Sequence, residues 1–417
     1  MRNARVLALG LLTLLPPAWA EDKSWQLEGY GTLAAHLGDD PVVGVRGDGR
    51  NRNISLDGKV RFDGDSLLAL QARYEPSESL HLVWQLLARD DVRYGQRPRT
   101  EWLYLGWDAS PDLHFKLGRT ALPVFLHSET RHLGYAQTTV RPVNSVYQLN
   151  PFTHVDGVAL RHGRRLGEGD LRTELSVGSA ELSLPSGTID ANAMASLALR
   201  WDGGPWALRA GMAEYRFDMH LANVSRLYDQ LVSGGTACTN CAEVLAARAP
   251  LDGVKAHVST LALLYESGSW SLNLEWAARR SNNSIVADAS AWYLMAARRL
   301  GDWTPYVVVG SIHFKEPPLG LQTDPAAPAA AAQANALIDR YLQTPNDRRI
   351  AQLGLRWDLH PRAALKLQWE RYRSTRDGRL GQSHYLEVPS PPPIGPYRGP
   401  SWDGTVNQLS LNLDFVF

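Results

Sequence analysis

Catalysis by a side-chain nucleophile needs a base within hydrogen-bond reach and a third group that orients the base. The sequence offers His127-Ser128 and Ser383-His384, but each is a pair of chain neighbours and not a spaced constellation. Neither Gly-x-Ser-x-Gly nor His-Glu-x-x-His occurs, so the serine-hydrolase and zinc-protease arrangements have no footing. The two cysteines, Cys238 and Cys241, sit in a Gly- and Ala-rich stretch. A zinc or redox centre would need a second Cys pair or a His cluster beside them. The expectation is no enzyme, no metal and no cofactor, with a local Cys238–Cys241 disulfide formed in an oxidising compartment.

What recurs instead is charge at alternate positions. Asp57, Lys59, Arg61, Arg73, Arg89, Lys116, Glu174, Arg200, Arg209, Glu275, Arg356 and Asp414 each stand opposite the apolar face of an alternating stretch. So many charges in a dry core would be prohibitive, so the pattern predicts that this face borders water.

The elements that carry these charges are strands. The clearest is Gly404 to Phe417, where Leu409, Leu411, Leu413, Phe415 and Phe417 alternate with Gln408, Ser410, Asn412 and Asp414. Period two means one face in an apolar phase and one in water. A free apolar edge of this kind invites aggregation, whereas a barrel closed on its first strand has no edge. Going forward from the start, strands read at Trp25–Leu37, Ile54–Glu75 (as one long strand), Leu80–Arg89, Glu101–Trp107, Leu113–Thr120, Gly157–Arg164, Leu171–Leu182 and Ala195–Trp201. They continue at Trp206–Phe217, His257–Glu266, Trp270–Arg280, Ser290–Leu300, Pro305–Lys315, Arg349–Leu359, Ala364–Arg373 and the last strand. That is about 16, an even number, as bacterial transmembrane barrels require.

Connections alternate between short ones, such as Pro76–Ser79, Ala109–Asp112, Ser267–Ser269 and His360–Ala363, and longer ones. Tight turns at one end and long loops at the other are the pattern of such barrels. The long connections expected at the outer surface are 218–256, 316–348 and 374–403. Ala222–Val232 and Ala329–Leu342 read as helices decorating two of them. Trp107, Trp201, Trp206, Trp270, Trp303 and Trp357 lie close to short turns, where a membrane–water interface would hold their rings. Residues 1–20 carry Arg2 and Arg5, an apolar core and Ala18-Trp19-Ala20, the layout of a secretory signal peptide. The barrel is then 21–417. A mean hydropathy of −0.27 fits a barrel in which every second strand residue faces lipid. Lys plus Arg equal Asp plus Glu at 43 each, which gives no reason to invoke nucleic acid.

The stretch Leu113 to Arg161 adds a resemblance. Lys116-Leu117-Gly118-Arg119 ends one strand, a long connection follows, and Asp156-Gly157-Val158-Ala159-Leu160-Arg161 begins the next. This resembles the strand–third-loop–strand unit of Gram-negative general diffusion porins, and the terminal Phe417 resembles the assembly signal of outer-membrane proteins. The resemblance implies an all-β, 16-stranded antiparallel transmembrane barrel in the outer membrane, in contact with lipid and lipopolysaccharide. It also implies a homotrimer, with a third loop, 121–155, folded inward as the constriction. Many members have an acidic patch in that loop, whereas here Glu129 is its only acid, beside His127, Arg131, His132 and Arg141.

With the wall residues Arg61, Arg73, Arg89, Lys116 and Arg119, these loop residues form the candidate pore lining. Rings of Arg and Lys favour anions, and histidines add charge as pH falls. The expected function is a water-filled channel for small hydrophilic solutes, neutral to weakly anion-selective. A substrate-specific channel, or an adhesin or receptor with long loops, is the alternative.

Overall fold

The computed structural model describes residues 24–417 apart from 42, 54–57, 234–236, 316–317, 343–346, 375–385 and 388–402. Residues 1–20, read as a signal peptide, lie outside the described residues, as does most of 374–403.

Sixteen strands form one closed antiparallel barrel. They are β1 Trp25–Gly38, β2 Leu67–Ser77, β3 Leu80–Arg89, β4 Arg99–Ser110, β5 Leu113–Ala121, β6 His154–Leu166, β7 Gly169–Leu184 and β8 Gly187–Gly203. Then follow β9 Trp206–His220, β10 Val254–Ser267, β11 Trp270–Ser281, β12 Asp288–Arg298, β13 Trp303–Lys315, β14 Arg348–His360, β15 Ala363–Ser374 and β16 Thr405–Val416. Each strand pairs with its sequence neighbours, and β16 closes on β1 with Leu33 opposite Leu413 and Ala35 opposite Leu411. The strand count and the closure are as the alternation predicts.

The lipid-facing band is visible as exposed apolar side chains: Leu103, Leu105 and Trp107 on β4, Leu272, Leu274 and Trp276 on β11, and Leu409 and Leu411 on β16. An apolar belt of this extent suits hydrocarbon and not water. Aromatic pairs mark the end with the short turns. Trp107 stacks on Phe115 at 5.4 Å, Trp206 meets Tyr265 at 4.5 Å and Trp303 stacks on Trp357 at 4.7 Å. The turns Gly167-Glu168, Gly204-Pro205 and Gly268-Ser269 are tight because their glycines take φ of 63°, 57° and 59°, a region costly for other residues. Among the described residues no helix is long and apolar enough to cross a membrane.

Two strand boundaries differ from expectation. Ile54–Glu75 is not one strand. Its 54–57 portion lies outside the described residues, 58–66 is irregular, and β2 begins at Leu67. Only Arg61 bridges to His36 there, because Asp63, Gly64 and Asp65 bend the chain in front of the strand. The expected connection from Ser183 to Met194 is instead a two-residue turn, Pro185-Ser186, with β7 and β8 extended to 16 and 17 residues.

The interior is a further correction. Inward positions on β7–β13 near the loop end are apolar and buried: Leu182, Leu184, Tyr215, Phe217, Val258, Tyr293 and Phe314 belong to one cluster. The helices α1 Asn144–Tyr147, α2 Ala222–Val232, α3 Cys241–Arg248 and α4 Ala329–Leu342 contribute to it through Val146, Leu227, Leu231, Leu245 and Ile338. The two loop helices begin and end as the sequence suggests, but they are packed elements and not decoration. Cys238 and Cys241, at the start of α3, are joined by a disulfide.

Candidate functional site

The segment between β5 and β6, 122–153, hydrogen-bonds to inward-facing residues of widely separated strands. Arg209 of β9 donates to the Pro123 carbonyl at 2.8 Å and Thr260 of β10 to that of Val124 at 2.7 Å. Glu275 of β11 accepts from the Leu126 N–H at 2.9 Å. Farther round, Arg356 of β14 donates to the carbonyls of Tyr135 and Gln137 at 2.7 and 2.8 Å. Lys366 of β15 donates to those of Gly134 and Thr139 at 2.7 and 3.0 Å, and Asn412 of β16 to that of Val140 at 3.4 Å. An irregular segment must satisfy its backbone acceptors somewhere, and here strand side chains do so.

Of the inward charges, Glu174, Glu275 and Asp414 are buried and held by hydrogen bonds or ion pairs, whereas Arg61, Arg73, Lys116, Arg200 and Arg356 keep part of their surface exposed. Lys366 and Asp414 lie 2.8 Å apart with both side chains fully buried, and Thr32 donates to Asp414 at 2.5 Å. Glu275 is fully buried and accepts from the Tyr293 hydroxyl at 3.0 Å. Excellent geometry with further hydrogen bonds is the condition under which buried ions are tolerated.

Three groups collect most of the predicted pore residues. In the first, Arg89 lies 3.2 Å and Arg131 3.6 Å from Asp48, while His132 lies 3.5 Å from Glu101. In the second, Arg141 joins Asp65 at 2.5 Å and is also paired with Glu370. In the third, Glu129 lies 2.7 Å from Arg161 and 3.9 Å from Lys116, and Arg161 reaches Glu174 at 2.9 Å. The remaining predicted residues are not brought together. Arg61 pairs with Asp63 at 2.7 Å, Arg73 with Glu75 at 2.5 Å near a short turn, and Arg119 with Asp156 at 2.6 Å. The His127 N–H donates to the Tyr147 hydroxyl at 2.8 Å, and its ring stacks on that of Tyr147.

The residues missed are the acids Asp48, Asp65, Glu101 and Glu370, with Arg50 and Arg99 beside them. For Asp48 and Arg50 the sequence signal was the run Arg46-Gly47-Asp48-Gly49-Arg50, where alternating glycines and opposite charges mark a folded ionic turn and not an inert connection.

Burial opposes ionisation of Asp48, yet Arg89, Arg50 and Arg131 hold its carboxyl well below the usual range. Burial likewise opposes charge on Asp65, and Arg141 overrides it, lowering the pKa. Burial pushes His132 down to about 4 against the pull of Glu101. His127 is also pushed down to about 4, by burial and then by Arg200 and Arg209. These two histidines are neutral in the folded protein at neutral pH, so they do not supply the early charging that the sequence suggested.

No family model matches the chain, and no curated protein matches it by sequence. Solved structures do match in fold. The anion-selective porin from Comamonas acidovorans superposes with a TM-score of 0.54 at 12% identity, over 94% of this chain and 99% of that one. The outer membrane channel DcaP of Acinetobacter baumannii gives 0.54 at 11%, over 95% and 98%. OmpT, an outer membrane protein of Vibrio cholerae solved in a trimer form, gives 0.53 at 11%, over 94% and 100%. The fold of this chain is thus the one these outer-membrane porins share: a closed 16-stranded antiparallel barrel.

Proposed function

We propose that the protein is an outer-membrane porin that passes small hydrophilic solutes by diffusion, with neutral to weakly anion-selective permeability. The observation that carries this reading is a closed barrel of 16 strands whose inward residues bind the 122–153 segment from β9 round to β16. In this reading 121–155 folds into the lumen and narrows it, with Arg89, Arg131, Arg141, Lys116 and Glu129 at its margins. Weak selectivity follows from pairing. Arg61, Arg73, Arg89, Lys116, Arg119, Arg131 and Arg141 each have a carboxylate within 4.0 Å, and a neutralised ring steers ions weakly.

The short-turn end faces the periplasm in this reading, and the longer connections face outward beside lipopolysaccharide. Residues 1–20 are a signal peptide removed on export. A homotrimer is the proposed assembly, supported by the trimer form of the Vibrio protein of the same fold. The test is a planar bilayer with a KCl gradient. A stable ohmic conductance with a reversal potential near zero or slightly on the anion side is expected. Absence of conductance, or clear cation selectivity at neutral pH, would overturn the reading.

A further inference from the structure

The apolar half of the interior contains a cavity of about 140 Å³ between the 148–152 stretch, the loop-end halves of β7–β11 and the connection 285–286. Its wall is largely rings and aliphatic groups, among them Phe152, Phe217, Met219 and Phe314. Phe152 stacks on Tyr215 at 5.4 Å. Two polar groups on the wall are incompletely used. The Tyr215 hydroxyl belongs to a residue only 5% exposed and finds no hydrogen-bond partner among the described residues. Buried polar atoms rarely go unpaired without a reason.

The second group is Arg279, whose guanidinium spends Nε and Nη2 on one acceptor, the Ala287 carbonyl, at 3.1 and 2.9 Å. It has five N–H donors to give, and no carboxylate among the described residues pairs with it. This distinguishes it from Arg89, Arg99, Arg141 and Lys366, each of which has its acid. The register places the two groups two strands apart. Tyr215 is opposite Ala256, Ala256 is opposite Ser281, and Arg279 lies two residues further along β11. At about 4.8 Å between neighbouring strands, the two backbones are on the order of 10 Å apart, a span that two long inward side chains can close on one ligand.

We propose that this cavity binds a monocyclic aromatic carboxylate, the ring among Phe152, Phe217 and Phe314 and the carboxylate at Arg279 and the Tyr215 hydroxyl. The volume suits one ring: an apolar cavity of about 150 Å³ accepts benzene. The planar fork of arginine matches a carboxylate in two parallel hydrogen bonds, and an anion supplies the countercharge that the half-buried guanidinium lacks. The proposal rests on the channel reading only for how such a solute reaches the site.

The test uses the full-length barrel in detergent, with saturation-transfer NMR and titration calorimetry against benzoate, benzyl alcohol and acetate. Benzoate is expected to bind saturably, with the alcohol and acetate each weaker by about tenfold or more, the worth of one charge-assisted hydrogen bond. Arg279→Gln should weaken benzoate by about tenfold or more and leave benzyl alcohol unchanged. Tyr215→Phe, which removes a single oxygen, should weaken benzoate severalfold. If Arg279→Gln does not fold, Tyr215→Phe and the ligand series on the unaltered protein carry the test. Absence of saturable benzoate binding, acetate binding as tightly as benzoate, or benzoate binding indifferent to these variants would each overturn the site. KCl conductance of the same preparation reports separately on the channel reading.

Discussion

Along β14–β16 the inward residues include Gln352, Lys366, Gln368, Glu370, Ser410, Asn412 and Asp414, all almost fully buried. Along β7–β13, near the loop end, they are Leu182, Leu184, Tyr215, Phe217, Val258, Tyr293 and Phe314, equally buried. The 122–153 segment meets both. Its 134–141 part is held by ions and hydrogen bonds, and its 143–152 part by Val143, Val146, Leu149 and Phe152. The first kind of contact demands geometry, because a buried charge without its partner is expensive. The second scales with area and tolerates small displacements. The ionic half therefore fixes where the segment sits, and the apolar half supplies adhesion.

The most severe way to break this contrast is Arg141→Ala, which strands Asp65 and Glu370. Breaking a buried pair typically costs about 3–5 kcal/mol, so thermal unfolding in detergent should shift strongly. The reversal potential should move toward cations, since two acids lose their base. Leu149→Ala attacks the apolar half. It should cost about 2–5 kcal/mol in the same melt and leave the reversal potential unchanged; a selectivity shift from Leu149→Ala as large as that from Arg141→Ala would erase the distinction. Replacing Cys238 and Cys241 by Ser opens a very short loop worth about 2 kcal/mol at most. Folding and conductance should persist, and loss of the barrel would show that α3 is anchored differently.

The smallest effect concerns pH. His127 and His132 are pushed to about 4, below the ordinary value near 6.5. Their depressed values cost stability only as pH falls from about 6.5 toward 4, where the unfolded chain takes up protons first. Permeability ratios should therefore stay flat from about pH 8 to about pH 5 and turn toward anions only near 4. A break near 6.5 would place these rings in water.

The barrel was legible because period two persists through 16 segments, with glycine turns and tryptophans at their ends. The two halves of the interior were not, and β9 gives the reason. Near the short turn its outward residues are Trp206, Leu208 and Met212, and inward is Arg209. Two residues later the apolar set, Tyr215 and Phe217, points inward, and Glu214 and Arg216 point out. Alternation states that a strand has two unlike faces, but it does not say which is inside once the strand leaves the lipid. The wall bases were readable as charges, but the acid each would meet was not: Asp48 and Asp65 come from a connection whose path no periodicity encodes, and Glu101 and Glu370 from strands far apart in the chain. Ile54–Glu75 failed as a single strand for the same reason, since alternating residues in an irregular segment imitate a ladder.

The strands are also unequal in height. β7 and β8 have 16 and 17 residues, β3 and β5 only 10 and 9. Hydrocarbon covers the same vertical distance all round a barrel, so the surplus must rise beyond it. About six residues at roughly 3.4 Å each, tilted by about 45°, raise that side by roughly 14 Å. Beyond a register shift at Gly178 the β7–β8 ladder resumes up to Leu184 opposite Gly187 and stiffens this part of the rim, whereas above β3 and β5 the chain leaves the sheet early. The rim is mechanically uneven, a stiff stretch standing close beside a pliant one, and force or crowding applied at the surface would deform the lower stretch first.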